Sequence, residues 1–185
     1  DVCSSDLAEK MHEQQIRPYS QYLLVKEGNP YWRIAVLTEE AFDHILRPMM
    51  QKTSLFLEQK GYEVEVGKFS ILKKDSFQGL EERFWTGTEK IHHIELDFLT
   101  SASFKKNGEY KIFPELLLVF NNLIRKWNVY SDSMVLGEER LGDKLAEFMC
   151  ITDYRLHTHP FSVEGRRIRA FRGNIRLGPF KEDRK

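Results

Sequence analysis

The sequence predicts an α+β fold of two successive units, and three observations predict it. Strand-like alternation and helix-like periodicity are interleaved along the chain, with turn residues between short apolar runs. A charge-rich stretch holding Gly79 and Gly87 interrupts that pattern and marks a connection at 79–90, between a unit over 8–78 and another over 91–185. The length, 185 residues of which 41% are hydrophobic, suffices for two small cores.

In the first unit, Gln21 to Lys26 and Tyr31 to Leu37 read as two strands joined by EGNP, where Gly28, Asn29 and Pro30 supply turn conformations. Thr38 is a suitable N-cap, and Glu39 and Glu40 suit the positive end of a helix. Phe42, Ile45, Leu46, Met49 and Met50 then follow helical spacing. Pro48 predicts a bend or break, after which the helix resumes through Gln59 and ends at Gly61 as a left-handed cap. Tyr62 to Lys74 alternates as one or two strands.

The second unit opens with His92 to Thr100, where Ile94, Leu96 and Phe98 alternate with His93, Glu95 and Asp97. Asn107-Gly108 is a hairpin signal, because both central positions of a type I′ turn need positive φ. Pro114 is placed at the first position of the next helix, in which Leu116, Leu117, Phe120, Leu123, Ile124 and Trp127 recur on one face. Trp127 is therefore read as core. Leu141 to Cys150 predicts a helix, Ile151 to Pro160 a strand, and Arg167 to Leu177 a basic-faced hairpin or strand pair.

No long uncharged apolar run is present, so a membrane partner is not expected. Cys3 and Cys150 are too few and too far apart for a disulfide framework, which fits a reducing, cytoplasmic setting. His157 and His159 share a strand face, but no third ligand follows at a familiar interval, and neither a metal site nor a cofactor is expected. The net charge is zero, yet it is unevenly spread. From Gly165 to Lys185 eight basic residues stand against two acids, leaving 20 basic against 26 acidic in the rest. That tail is either a positive patch for a polyanion or a solvated terminal charge run.

The stretch of most chemical interest is Leu7 to Ser20, LAEKMHEQQIRPYS. His12 is a side chain of the type that changes charge near neutrality, and Arg17 is an always-charged group suited to phosphate. A base beside a phosphate clamp is the equipment of a ribonuclease. The competing reading has His12 capping the exposed end of a helix and Arg17 in solvent.

This segment resembles the catalytic segment of the CRISPR repeat-processing endoribonucleases, the Cas-six family of the RAMP superfamily. A second stretch, LDFLTSASFKKNGEYKIFPELLLVFNNLIRKWN from Leu96 to Asn128, is similar to the family's strand, hairpin and helix ending in Arg-x-Trp-Asn. A third, AFRGNIRLG from Ala170 to Gly178, follows in the family's order.

The resemblance implies tandem ferredoxin-like (RRM-like, RAMP) domains, the N-terminal one incomplete. The opening DVCSSDL, residues 1–7, reads as a non-native leader of the kind a sequencing adapter encodes, and the C-terminal domain as truncated before the family's glycine-rich loop. It also implies metal-independent cleavage of CRISPR repeat RNA by attack of a 2′-hydroxyl, yielding guide RNA for antiviral defence. His12 would be the acid or base and Arg17 a stabiliser of phosphorane charge. Tyr19, Ser20, Arg167, Arg169, Arg172 and Arg176 are the candidate RNA contacts. Two other readings stand beside this one. The chain could serve as a non-catalytic RAMP-type crRNA-binding subunit among effector-complex subunits, or as an unrelated ferredoxin-like interaction module.

Overall fold

A computed structural model describes residues 16–58, 60–87, 91–163 and 165–178. The chain divides into two compact units, Asp1–Leu80 and Glu81–Lys185. No helix among the described residues is long and apolar enough to cross a membrane.

The first unit begins with an antiparallel hairpin of β1 (Tyr19–Lys26) and β2 (Asn29–Val36), in register from Tyr19 opposite Val36 to Lys26 opposite Asn29. Its two-residue turn is Glu27-Gly28, both at positive φ (53° and 79°), the geometry that matches strand twist. The sequence expectation placed Asn29 and Pro30 in the turn, whereas both lie in β2. Pro30 is tolerated opposite Val25 because a strand of a two-stranded sheet can leave a position without an N–H donor.

Thr38 caps the next helix as expected, its Oγ1 accepting the Ala41 N–H at 3.1 Å. Helical structure continues through Glu39–Ala41, a π-helical turn at Phe42–Leu46, and Arg47–Met49. The widened turn lies immediately before Pro48. The Arg47 N–H reaches back five residues to the Phe42 carbonyl, which accommodates a proline that has no N–H and would crowd an ordinary turn.

The helix does not resume through Gln59. Tight bonds from Gln51 to Pro48 and from Lys52 to Met49 close it, and Ser54–Leu57 instead forms β3, paired antiparallel with β4 (Tyr62–Glu65). Ser-Leu-Phe-Leu is a short apolar run that periodicity alone assigns to either state, and pairing with Tyr-Glu-Val-Glu decides it. Gly61, at φ +70°, serves the turn of this hairpin rather than a helix cap, with the Lys60 and Gly61 N–H groups both donating to the Leu57 carbonyl. The strand predicted over 62–74 is confined to Tyr62–Glu65. A helix, Phe77–Trp85, runs into the stretch read as a connection, started by Ser76, whose Oγ accepts the Gly79 N–H at 2.9 Å.

The second unit is built on a three-stranded antiparallel sheet of β5 (Ile94–Ala102), β8 (Ile151–Thr158) and β11 (Phe171–Leu177), in the order β5-β11-β8. Because β11 is antiparallel to both neighbours, β5 and β8 run parallel with a strand between them. A helix, Leu116–Tyr130, lies in the chain between these two, so the unit contains the split βαβ of the ferredoxin-like fold. Phe120 of that helix, Ile175 and Leu177 form the buried centre, with Ile94, Leu96, Phe98, Leu116, Ile124, Leu145 and Leu156 packed around it. The predicted alternation of β5 is thus realised.

Pro114 is fully buried and precedes the cap residue Glu115, so it sits outside the helix rather than at its first position. At the other end Trp127 is half-buried, and its indole N–H donates to the Met134 carbonyl at 2.9 Å. Asn128 binds the Leu136 backbone twice, accepting from its N–H (2.8 Å) and donating to its carbonyl (3.1 Å). These two side chains clamp the loop leading to the Leu141–Phe148 helix. Close packing of the two helices relies on Gly142, where a β-carbon would overlap the Asn121 side chain.

Two short hairpins complete the unit: β6 (Phe104–Lys106) with β7 (Glu109–Lys111), and β9 (Phe161–Val163) with β10 (Arg166–Ile168). Asn107 and Gly108 turn the first at φ 53° and 83°, as predicted. The expectation of one hairpin or strand pair over Arg167 to Leu177 is corrected, since β10 pairs with β9 whereas β11 is the central strand of the sheet. The alternation breaks because Ala170 and Phe171 are both buried, at 1% and 0% exposure.

Candidate nucleic-acid interface

Helices and core occupy one face of the β5-β11-β8 sheet, and the opposite face is laid out by strand register. One row across it reads Glu95, Arg176, Asp153; the next reads Asp97, Asn174, Arg155. In the third, Arg172 stands beside His157, and β5 answers with a bulge, because Phe98 pairs with Gly173 and Ala102 with Phe171. The first row carries two acids, the second one, and the third none. Positive charge therefore accumulates toward the end of the sheet where β5 and β8 finish and β11 begins.

Both hairpins leave from that end. The β6-β7 hairpin follows β5 directly and brings Lys105, Lys106 and Lys111, and the β9-β10 hairpin follows β8 and brings Arg166 and Arg167. Ser103 Oγ donates to the Arg169 carbonyl at 2.8 Å, tying the root of one hairpin to the exit of the other. Lys106 pairs with Glu115 at 2.6 Å and Lys111 with Glu109 at 3.6 Å. Lys105 lies over the Tyr110 ring, 5.7 Å from its centroid. With Lys105, the arginines 166, 167, 169 and 172 make no ion pair among the described residues, so five cations stand exposed at this end.

Of the sequence candidates, Arg167, Arg169 and Arg172 come together here. Arg176 does not. It lies four residues further along β11, about 13 Å away by the rise of a strand, and its guanidinium holds Glu95 Oε1 at 2.5 and 3.0 Å. That hydrogen bond, reinforced by the arginine's charge, keeps the Glu95 carboxyl below its ordinary range. Lys105, Lys106 and Lys111 at this end are not among the sequence candidates, although KKNGEYK shows three lysines flanking the Asn-Gly turn.

The remaining candidates belong to the first unit. Arg17 is exposed just ahead of β1, Ser20 is exposed, and Tyr19 is half-buried opposite Val36. His12 lies outside the described residues. Among those described, no three His, Cys, Asp or Glu side chains gather as a metal ion would require.

No family model matches the chain. A Streptococcus thermophilus protein named CRISPR-associated endoribonuclease Cas6 is 30% identical over 171 residues, covering 92% of this chain and 69% of that protein. The chain belongs to the Cas6 family. A Mycobacterium tuberculosis protein of the same name is 29% identical over 176 residues, or 92% of this chain, which spans only 54% of it. Solved Cas6 structures share the fold. A Cas6 (TTHA0078) product complex superposes with a TM-score of 0.72 at 19% identity over 94% of this chain and 71% of that one. A Cas6 (TTHB231) product complex gives 0.74 at 18% identity over 97% and 75%. Membership of Cas6 bears out the family, the α+β ferredoxin-like class and the CRISPR assignment read from the sequence.

Proposed function

We propose that this Cas6 chain binds CRISPR repeat RNA and is the core of a metal-independent endoribonuclease that releases crRNA guides. The observation that carries the reading is the end of the second unit's sheet from which both hairpins leave, where the last row of the sheet carries no acid and five cations stand exposed in a chain of zero net charge. A phosphate backbone is the partner that such a local excess suits. Lys105, Arg167, Arg169 and Arg172 grip the backbone, and the cations held by Glu109 and Glu115 contribute less.

Cleavage in this reading is a transesterification. The 2′-hydroxyl upstream of the scissile phosphate loses its proton and attacks phosphorus, the 5′-oxygen leaves with a proton, and a 2′,3′-cyclic phosphate and a 5′-hydroxyl result. His12 supplies or accepts the proton. Arg17 offsets the charge that builds on the non-bridging oxygens, and Tyr19 and Ser20 hold the adjacent backbone.

The test compares wild type with His12→Ala under single-turnover conditions. Cleavage should fall about a hundredfold or more with repeat binding nearly unchanged. It should persist in excess EDTA and fail on RNA with a 2′-deoxy substitution just upstream of the cut. Loss of activity in EDTA, or normal cutting of the deoxy substrate, would overturn the mechanism.

A further inference from the structure

The bulged row of the sheet holds side chains that the reading above leaves unused. His157 and His159 stand on the same side of the chain at the end of β8, their rings edge to face with centroids 6.1 Å apart. His159 continues the pairing beyond β8, its N–H donating to the Ala170 carbonyl at 2.9 Å. Its ring is fixed from across the sheet, where Ser101 Oγ lies 2.7 Å from Nδ1. That bond crosses β11, and the extra residues of β5 between Phe98 and Ala102 carry Ser101 to it. A bulge is the ordinary means of re-aiming a side chain in this way. Both imidazoles are exposed, and Ser101 leaves Nε2 of His159 directed away from the bond.

Resting on the RNA-binding reading, we propose that His157, His159 and Arg172 form a phosphate-binding subsite whose grip tightens as the imidazoles take up protons. Arg172 stands opposite His157 and supplies the permanent charge. Histidine is the side chain that gains or loses charge in the physiological range, and a bound phosphate favours the charged form. By register the groups on this side of the sheet are Arg155 and Asp153 from its own strand, Arg172, Asn174 and Arg176 from β11, and Ser101, Asp97 and Glu95 from β5, and the cations Lys105, Arg166, Arg167 and Arg169 stand at the same end. Among the acids on this face of the sheet, Asp97 lies a row away by register, and Glu95 is engaged by Arg176. No carboxylate in the histidines' own row competes with an incoming phosphate. The ligand is a phosphodiester of the RNA backbone, and free inorganic phosphate presents the same chemistry more weakly.

Two measurements decide it. Imidazole NMR resonances of His157 and His159 are followed while inorganic phosphate is added near pH 6 to wild type and to Arg172→Gln. Shifts that saturate in wild type and weaken in the variant are expected, and unmoved resonances would overturn the proposal. Filter binding of repeat RNA is then compared between wild type and the His157→Gln/His159→Gln double variant at low and high pH, circular dichroism checking that both are folded. Wild type should bind roughly tenfold tighter at about pH 6 than at about pH 8, and the double variant should lose most of that dependence. Equal pH dependence in the two proteins would refute the subsite while leaving RNA binding intact. If wild type bound no RNA, the function proposed above would fall, and the phosphate titration alone would decide the subsite.

Discussion

The contrast between Arg172 and Arg176 gives the interface a quantitative test. Five exposed cations carry no ion pair among the described residues of the hairpin end, so binding should release at most about five counterions, a slope of log K against log salt of about −3.5 for single-stranded RNA and about −4.5 for duplex. Between about 50 and 200 mM salt that is a loss of roughly 100- to 500-fold in affinity. Arg172→Gln removes one of the five and should flatten the slope by about 0.7–0.9. Arg176→Gln removes a charge already engaged by Glu95 and about 13 Å away along the strand, beyond a physiological Debye length of about 8 Å. Its slope should match wild type. Filter binding across a salt series measures all three proteins on the same RNA. Equal flattening by both variants, or none by Arg172→Gln, would refute the placement of the interface at this end.

The remaining predictions concern the sheet beneath that surface. Gly173 sits at φ +130°, and a β-carbon there would overlap the Arg155 carbonyl, a backbone atom that cannot swing aside. Gly173→Ala should therefore cost about 2–6 kcal/mol from strain and overpacking combined, lowering the melting temperature by roughly 10 °C or more. Gly108→Ala, at φ +83° with open space around it, should cost only about 1 kcal/mol, and an equal loss in the two variants would defeat the argument. Glu95 is held below its ordinary range by Arg176, so the pair stabilises above the unfolded carboxylate pKa and is lost as pH falls through the lower folded value. Any difference in melting temperature between wild type and Glu95→Gln should be present at neutral pH and vanish in acid. A difference that grew on acidification would contradict the pairing.

Much of the second unit was legible because its signals are local and agree. Ile94, Leu96 and Phe98 alternate as they pack, and Asn107-Gly108 turns as its φ demands. What misled was competition between local preferences and pairing. Ser54 to Leu57 follows a helix without a strong stop, and only β4 opposite it makes it a strand. Arg176 looks like its neighbours in sequence, and its neutralisation depends on Glu95, far away in the chain and adjacent only through register. The basic end was half visible for the same reason. The arginines cluster along the chain, whereas the lysines of β6 and β7 join them only because β5 and β11 are paired.

The bond from Ser103 to the Arg169 carbonyl closes the roots of the two hairpins, so beyond those roots the register is set by pairing within each hairpin. Adding or deleting a pair of residues at the tip of either would keep every side chain on its original face of the ribbon, and the closure cost of a slightly longer loop grows only slowly. The reach of this surface can therefore drift between related chains while the sheet that carries it stays the same. A ligand of different shape could be met by hairpin length alone, without a substitution in any buried position.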